Sequence, residues 1–334
     1  METQPLLSVR NLRAEFRTRY GTVHAVNDVS LDIAAGQRLA VVGESGSGKS
    51  AMALALLRLL PTVGRITGGS VELEGTDLLR MSDKQLGQVR GKDAAMVFQD
   101  PMTSLNPVMT LRDQMLPPML RHLGIRATEA EARAVELLDQ VGIPDAAARL
   151  GQYPHELSGG MRQRALIALA LSCRPKLIIA DEPTTALDVT IQAQIVALLK
   201  RLSQETGTAV LFITHDFGLV ARFAHQIAVM YAGRIVENGP ARSVFANPQH
   251  AYTRALLRSI PSITGERSTR LVQIDGAPPN MRALGPGCAF QARCPVATAQ
   301  CSEELPVLTQ RFLGHSAACW VPAVEREEVL VAAG

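Results

Sequence analysis

The stretch Gly43-Glu-Ser-Gly-Ser-Gly-Lys-Ser50 decides how this chain is read. It follows the apolar run Arg38–Val42 and opens a helix-forming segment, Ser50–Leu60. A G-x-x-x-x-G-K-[ST] loop in that strand-to-helix setting is a phosphate cradle. Gly43, Gly46 and Gly48 let backbone N–H groups curl around phosphate oxygens, and the helix starting at Ser50 and Ala51 adds its positive end. Lys49 is placed to reach the β- and γ-phosphates as a point charge and Ser50 to ligate Mg²⁺, with Ser45 and Ser47 in the same loop. The plainer reading, a glycine-rich turn that binds nothing, does not account for strand, loop and helix arriving together. The segment is read as a nucleotide site.

Outward from this loop, the first two-thirds of the chain alternates short apolar runs with helical patterns, the signature of an α/β sheet. Arg38–Val42, Ala94–Phe98, Lys176–Ala180 and Ala209–Thr214 carry no period-2 polar face, as expected of strands covered on both sides. They end at Gly43, Gln99, Asp181 and His215. Ligands of open parallel sheets bind beyond the carboxyl ends of the strands, so the four ends point to one shared site. Asp181 is expected to hold Mg²⁺ through its water shell, and Glu182 behind it to polarise the attacking water. His215 is either structural or a partner of the γ-phosphate or that water, and its place at a strand end favours the second. Leu6–Asp32 and Ser70–Leu79 read as shorter strands of an antiparallel flap. Pro101–Pro154 reads as a helical insertion, with Ala127–Val141 strongly helical in composition.

Leu157-Ser-Gly-Gly-Met-Arg-Gln-Arg164, shortly before the acidic pair, resembles the signature of the ABC ATPases. Taken alone, it would be a simple N-cap with a flexible turn. Gln99 resembles the Q-loop glutamine of that family, Ala186-Leu-Asp188 the D-loop, and His215 the switch histidine. Tyr20 resembles the aromatic that stacks on adenine, with Phe16 as its rival and an ordinary strand residue as the plainer reading. Val97-Phe-Gln-Asp-Pro-Met-Thr-Ser-Leu-Asn-Pro107 and the tail Gly287-Cys-Ala-Phe-Gln-Ala-Arg-Cys-Pro295 narrow the resemblance to the dipeptide, oligopeptide and nickel importer ATPases, nearest the dipeptide importers.

That resemblance implies a P-loop NTPase fold with a RecA-like core sheet, an antiparallel β subdomain and a helical insertion. It implies ATP hydrolysis by Glu182, His215 and Gln99, with Mg²⁺ held through Ser50, Gln99 and Asp181. It implies head-to-tail pairing with a second, related ATPase subunit, so that Ser158, Gly159 and Gly160 face the nucleotide of the partner. Two transmembrane permease subunits and an external solute-binding protein would complete an importer of dipeptides or oligopeptides. A nickel, glutathione or other small-solute importer stays open. A soluble ABC ATPase of DNA repair or translation is disfavoured by the single phosphate loop, the single signature and the lack of a long heptad array.

Cys288, Cys294, Cys301 and Cys319 crowd into the last fifth of the chain, with His315 four residues before the last of them. In a reducing compartment such clustering suggests a metal or cluster site before disulfides. The spacing C-x5-C-x6-C-x17-C matches neither short zinc-finger pairs nor the common ferredoxin patterns. Soft thiolates suit iron–sulfur or zinc, and unligated thiols are the third reading. The resemblance of the surrounding sequence implies a 4Fe–4S cluster on these four cysteines, with structural Zn²⁺ as the alternative. Its expected role is to staple a Gly/Pro-rich segment too small to build a core. Cys173 reads as a buried small hydrophobe on the helix after the signature. Met102, Met109, Met115 and Met119 read either as an adaptable contact surface for permease helices or as core.

Composition sets the outer bounds. With 334 residues, 47% hydrophobic and 19% charged, the chain can bury a sizeable core, which excludes a disordered protein. A net charge of +3 is too small to point to nucleic acid, and no nucleic-acid partner is expected. Charged residues interrupt every apolar stretch before the about 20 residues a membrane span needs. The start, Met-Glu-Thr-Gln-Pro, lacks the basic and apolar regions of a signal peptide. The expected location, with the resemblance, is peripheral, on the cytoplasmic face of the inner membrane. Two domains are expected: a nucleotide-binding domain over 1–260, with a helical subdomain at about 101–160, and a Cys-rich extension over 261–334.

Overall fold

A computed structural model describes residues 4–100, 104–185, 187–259 and 274–321. The expected domain boundary at 260/261, Met102 and Ala186 lie outside the described residues. The chain divides into two compact units interleaved in sequence. One is formed by Met1–Leu7, Ile33–Arg38 and Leu73–Ile213, the other by Ser8–Asp32, Leu39–Glu72 and Thr214–Gly334.

The first unit is built on a parallel ladder. Leu177–Asp181 pairs with Ala94–Val97 on one side and Ala209–Thr214 on the other, with Ala94 opposite Leu177 and Asp181 opposite Ile213. Every residue of Leu177–Asp181 and Ala209–Thr214 is buried, which is why neither run alternates with polar positions. Burying each Leu, Ile, Val or Phe side chain contributes about 1.5–3 kcal/mol. Three expected bounds shift by one residue: Phe98 is exposed and outside its strand, and the run expected at Lys176–Ala180 starts at Leu177 and ends on Asp181.

Helices cover this ladder, and their ends follow capping chemistry. Leu111–Leu123 opens on a reciprocal cap between Thr110 and Asp113 and stops at Gly124, whose φ is +64°. Met115 and Met119 on this helix are 1% and 0% exposed, so these two are core rather than contact surface. Ala127–Gln140 packs on Gly159–Leu171, which in turn packs on the strand Ala94–Val97. Cys173 is buried as expected, but it lies two residues past the end of Gly159–Leu171 rather than on that helix. Burial pushes its thiol pKa up, against a lowering hydrogen bond from Ser172 and the charge of Arg133.

The second unit holds the phosphate loop. Gly21–Ile33, Leu7–Thr18 and Gly64–Leu73 lie side by side in that order. Separately, Arg38–Val42 runs parallel to Gln226–Tyr231, which pairs antiparallel with Arg234–Pro240. The tail, expected only as a Gly/Pro-rich, Cys-rich extension, contributes two strands that the sequence did not announce. His315–Ala317 pairs antiparallel with Arg234–Pro240, and Thr309–Phe312 pairs with His315–Ala317. Each is short, and the pattern carrying them is mixed, so periodicity alone could not find them. Among the described residues, no helix is long and apolar enough to cross a membrane.

Candidate active site

In the second unit, the phosphate loop leaves Arg38–Val42 at Gly43 and enters the helix Lys49–Leu56 through Gly48. A side chain at Gly43 would place its Cβ 2.2 Å from the carbonyl oxygen of Met230. At Gly48 the backbone is left-handed, with φ +104°, and a Cβ would sit 2.1 Å from the carbonyl oxygen of Ala25. Both positions therefore accept only glycine. The buried Lys49 turns back into the loop: its Nζ donates to the carbonyls of Gly43 at 2.8 Å and Glu44 at 2.9 Å. Ser47 is buried beside it, Ser45 and Gly46 are exposed, and Ser50 and Ala51 are half-buried in the first helical turn.

His215, in the same unit, is exposed directly after the strand Ala209–Thr214. Asp216 behind it caps the helix Phe217–Phe223, its Oδ1 accepting from the N–H groups of Gly218 and Leu219 at 2.7 and 3.3 Å. Tyr20 is 67% exposed with Arg19 over its ring at 4.6 Å, whereas Phe16 is half-buried against Gly64. Of the two aromatics, Tyr20 is the more exposed, although Arg282 also lies over its ring at 5.8 Å.

The first unit holds the acidic pair. Asp181 ends its strand 5% exposed. Glu182 adopts a left-handed backbone with φ +44°, and its N–H donates to the carbonyl of Ile213 at 2.9 Å. Its Oε2 accepts from Gln99 Nε2 at 3.1 Å and from Thr185 Oγ1 at 2.9 Å. The structure thus brings Gln99 and Glu182 together, 83 residues apart in sequence. Thr185 was not foreseen, although it follows in the same Asp-Glu-Pro-Thr-Thr run. The exposed Ser158 caps Gly159–Leu171, its Oγ accepting from Met161 N–H at 3.3 Å, with Gly159 and Gly160 forming the first helical positions. Asp188 caps the following helix, Val189–Thr206, through a 2.9 Å bond from Ile191 N–H.

None of the four tail cysteines is in a disulfide. Cys301 and Cys319 are buried in one apolar cluster with Val296 and Val321, and Cys288 and Cys294 pack against it. Burial pushes the Cys288 thiol pKa up to about 11; a bond from the Phe290 backbone opposes this, and the other three cysteines add to it. Among the described residues, no three His, Cys, Asp or Glu side chains are placed to hold a metal ion. His315, which the sequence left near the last cysteine, is engaged elsewhere. Its Nε2 shares a 2.7 Å hydrogen bond with the buried Glu237 carboxylate.

Two further contacts escaped the sequence. Arg293, beside Cys294, forms a two-pronged ion pair with Glu44 of the phosphate loop, and the Tyr252 hydroxyl accepts from Glu44 N–H at 2.8 Å. These partners stand 249 and 208 residues from Glu44, with no local signal to join them.

Comparison with known proteins places these motifs in a common frame. Residues 26–185 match the ABC transporter family model, and residues 236–301 match the oligopeptide/dipeptide transporter C-terminal region. The chain is 46% identical over 329 residues to the dipeptide transport ATP-binding protein DppD of Bacillus subtilis, covering 98% of each. It is 48% identical over 319 residues to the oligopeptide transport ATP-binding protein OppD of Haemophilus influenzae, covering 96% of this chain and 98% of that one. Among solved structures, the ATP-binding cassette MJ0796, a dimer in a post-hydrolysis state bound to ADP and Pi, superposes with a TM-score of 0.64. It is 28% identical, over 71% of this chain and 99% of that chain.

Proposed function

The chain belongs to the ABC transporter ATP-binding proteins of oligopeptide/dipeptide transport, and from that premise we propose that it is the ATP-hydrolysing subunit of an ABC importer for peptides. One observation carries the hydrolytic part of the reading: Glu182, directly after the buried Asp181, is locked with its carboxylate between Gln99 and Thr185. A left-handed non-glycine residue costs about 1–3 kcal/mol and persists only where the surrounding structure over-determines it.

The roles follow from chemistry. Lys49 exchanges its bonds to the Gly43 and Glu44 carbonyls for phosphate oxygens, and Gly43, Ser45, Gly46, Ser47, Gly48 and Ala51 line the loop. Ser50, Gln99 and Asp181 are the residues assigned to Mg²⁺, which when bound neutralises phosphate charge. Glu182 takes the proton of the attacking water, His215 bonds the γ-phosphate, and the exposed Tyr20 stacks on the adenine. Replacing Glu182 by Gln in the assembled transporter should preserve ATP binding and lower turnover by about 10²–10⁴-fold. An unchanged rate removes Glu182 from catalysis and overturns the reading.

Ser158, Gly159 and Gly160 present a hydroxyl and a helix start on an exposed surface, fitted to a phosphate carried by another chain. This supports head-to-tail pairing with a second, related ATPase subunit. Two permease subunits and an external solute-binding protein complete the importer, and this subunit docks on the cytoplasmic face of the membrane. The substrate is a dipeptide or oligopeptide.

The tail cysteines are assigned to a 4Fe–4S cluster. Four thiols outside any disulfide, two buried in one apolar cluster and two packed against it, are a soft donor set. Four cysteine thiolates match the ligand number of a 4Fe–4S cluster, with structural Zn²⁺ as the alternative.

A further inference from the structure

The strongest unassigned feature lies between the phosphate loop and the Cys-rich tail, within the second unit. Arg293 is 4% exposed in its side chain. Nη1 donates to Glu44 Oε2 at 2.7 Å and Nη2 to Glu44 Oε1 at 2.9 Å. Nε donates to the carbonyl of Asp275 at 3.0 Å, Nη2 to that of Ile274 at 3.3 Å, and Nη1 to the Tyr231 hydroxyl at 3.3 Å. A guanidinium has five N–H donors in a fixed fork, so every one of them is used. Such complete satisfaction holds a planar group in one orientation, and a lysine could not reproduce it.

The other end of this contact is equally constrained. Glu44 is the first variable position of the phosphate loop, and it is fixed at three points. Its carboxylate is gripped by Arg293, its N–H donates to the Tyr252 hydroxyl, and its carbonyl accepts from Lys49 Nζ. Tyr252 is itself 0% exposed and packs against Tyr231 and Phe290, with ring centroids 4.4 and 5.3 Å apart. Phe290 and Arg293 lie between Cys288 and Cys294. The loop that receives phosphate is therefore anchored to the segment carrying the tail's cysteines. Arg293 also neutralises a carboxylate that would otherwise repel phosphate.

We propose that Arg293 is a positioning residue for ATP: through Glu44 it fixes the phosphate loop in its binding shape, so that nucleotide affinity depends on the folded Cys-rich tail. The proposal deepens the ATPase reading and rests on it. Arg293 touches no reacting atom and acts only through Glu44.

The test uses the full transporter reconstituted in membranes, with ATP as the probe. Arg293→Gln should raise KM for ATP by at least about tenfold while kcat at saturating ATP stays within about threefold, because misplacing a binding group shows first in capture of the substrate. Glu44→Gln should also raise KM, and the double variant should be less than the sum of the two, as residues acting through one contact are. If Arg293→Gln does not fold, because an unpaired Glu44 is left behind, the neutral double variant serves in its place, with KM again raised. An unchanged KM in folded variants, additive effects, or a fall in kcat alone overturns the proposal. Absence of ATP turnover in the unmodified transporter would instead defeat the ATPase reading, so the two failures are distinct.

Discussion

The phosphate loop and the cysteine tail belong to the same unit, yet they are held in different ways. The loop closes first on itself, Lys49 bonding the carbonyls of Gly43 and Glu44, six and five residues back, while Arg293 and Tyr252 hold Glu44 from far along the chain. The tail is held from a distance. Its Arg293 reaches Glu44, its His315 reaches Glu237, and its strand His315–Ala317 leans on Arg234–Pro240. Local order leaves a motif in the sequence, whereas distant order leaves only a composition. The difference also locates weakness, since the tail should fail when one remote partner is removed and the loop when its own geometry is violated.

The sharpest way to break this contrast is at the Glu237 carboxylate, which is 0% exposed and accepts from Gln249 N–H at 2.6 Å, His250 N–H at 2.7 Å and the His315 ring. His315→Ala leaves that carboxylate short of a partner and should cost about 3–5 kcal/mol, read as a lowered Tm. A change under about 0.5 kcal/mol, as for an ordinary surface site, would show that the tail does not depend on its remote partners. A smaller effect is expected in the loop. Gly48→Ala forces a Cβ toward the Ala25 carbonyl and should cost about 1–3 kcal/mol, seen as roughly 10–100-fold weaker ATP binding with a modest change in Tm. Unaltered binding would mean that the loop does not need its left-handed entry.

Metal content tests the assignment of the tail cysteines. Protein purified without oxygen should carry about four iron and four sulfide per chain; stoichiometric zinc would overturn the cluster assignment. Once the metal is removed, Cys288 should alkylate slowly at pH 8 and faster as the pH approaches about 11, because only the thiolate reacts and burial favours the neutral thiol. Equal rates at pH 8 for Cys288 and a free small thiol would show that its surroundings do not hold the proton.

How much could be read in advance follows the same division. The strands ending at Gly43, Gln99, Asp181 and His215 were legible because each is a local apolar run meeting a polar residue. The capping role of Ser158 was legible for the same reason. Cys173 slipped off the end of its helix because propensity blurs boundaries by a residue or two. Met115 and Met119 were ambiguous because methionine serves cores and contact surfaces alike. Thr185 lay in plain sight but needed the left-handed turn at Glu182 to bring its hydroxyl to the carboxylate. Arg293 and His315 were unreadable, since nothing near either residue names a partner 249 or 78 residues away.

The interleaving of the two units bears on how the protein emerges from the ribosome. The phosphate-loop unit takes Ser8–Asp32 and Leu39–Glu72 from the first quarter of the chain and everything else from after residue 213. The carbonyl that crowds Gly43, the hydroxyl that holds Glu44 and the guanidinium that clasps it all belong to this late third. A nascent chain thus carries its most diagnostic motif long before it can shape it. Translation stopped after Ile213 would release a polypeptide with the letters of a nucleotide site and none of the distant supports that shape it.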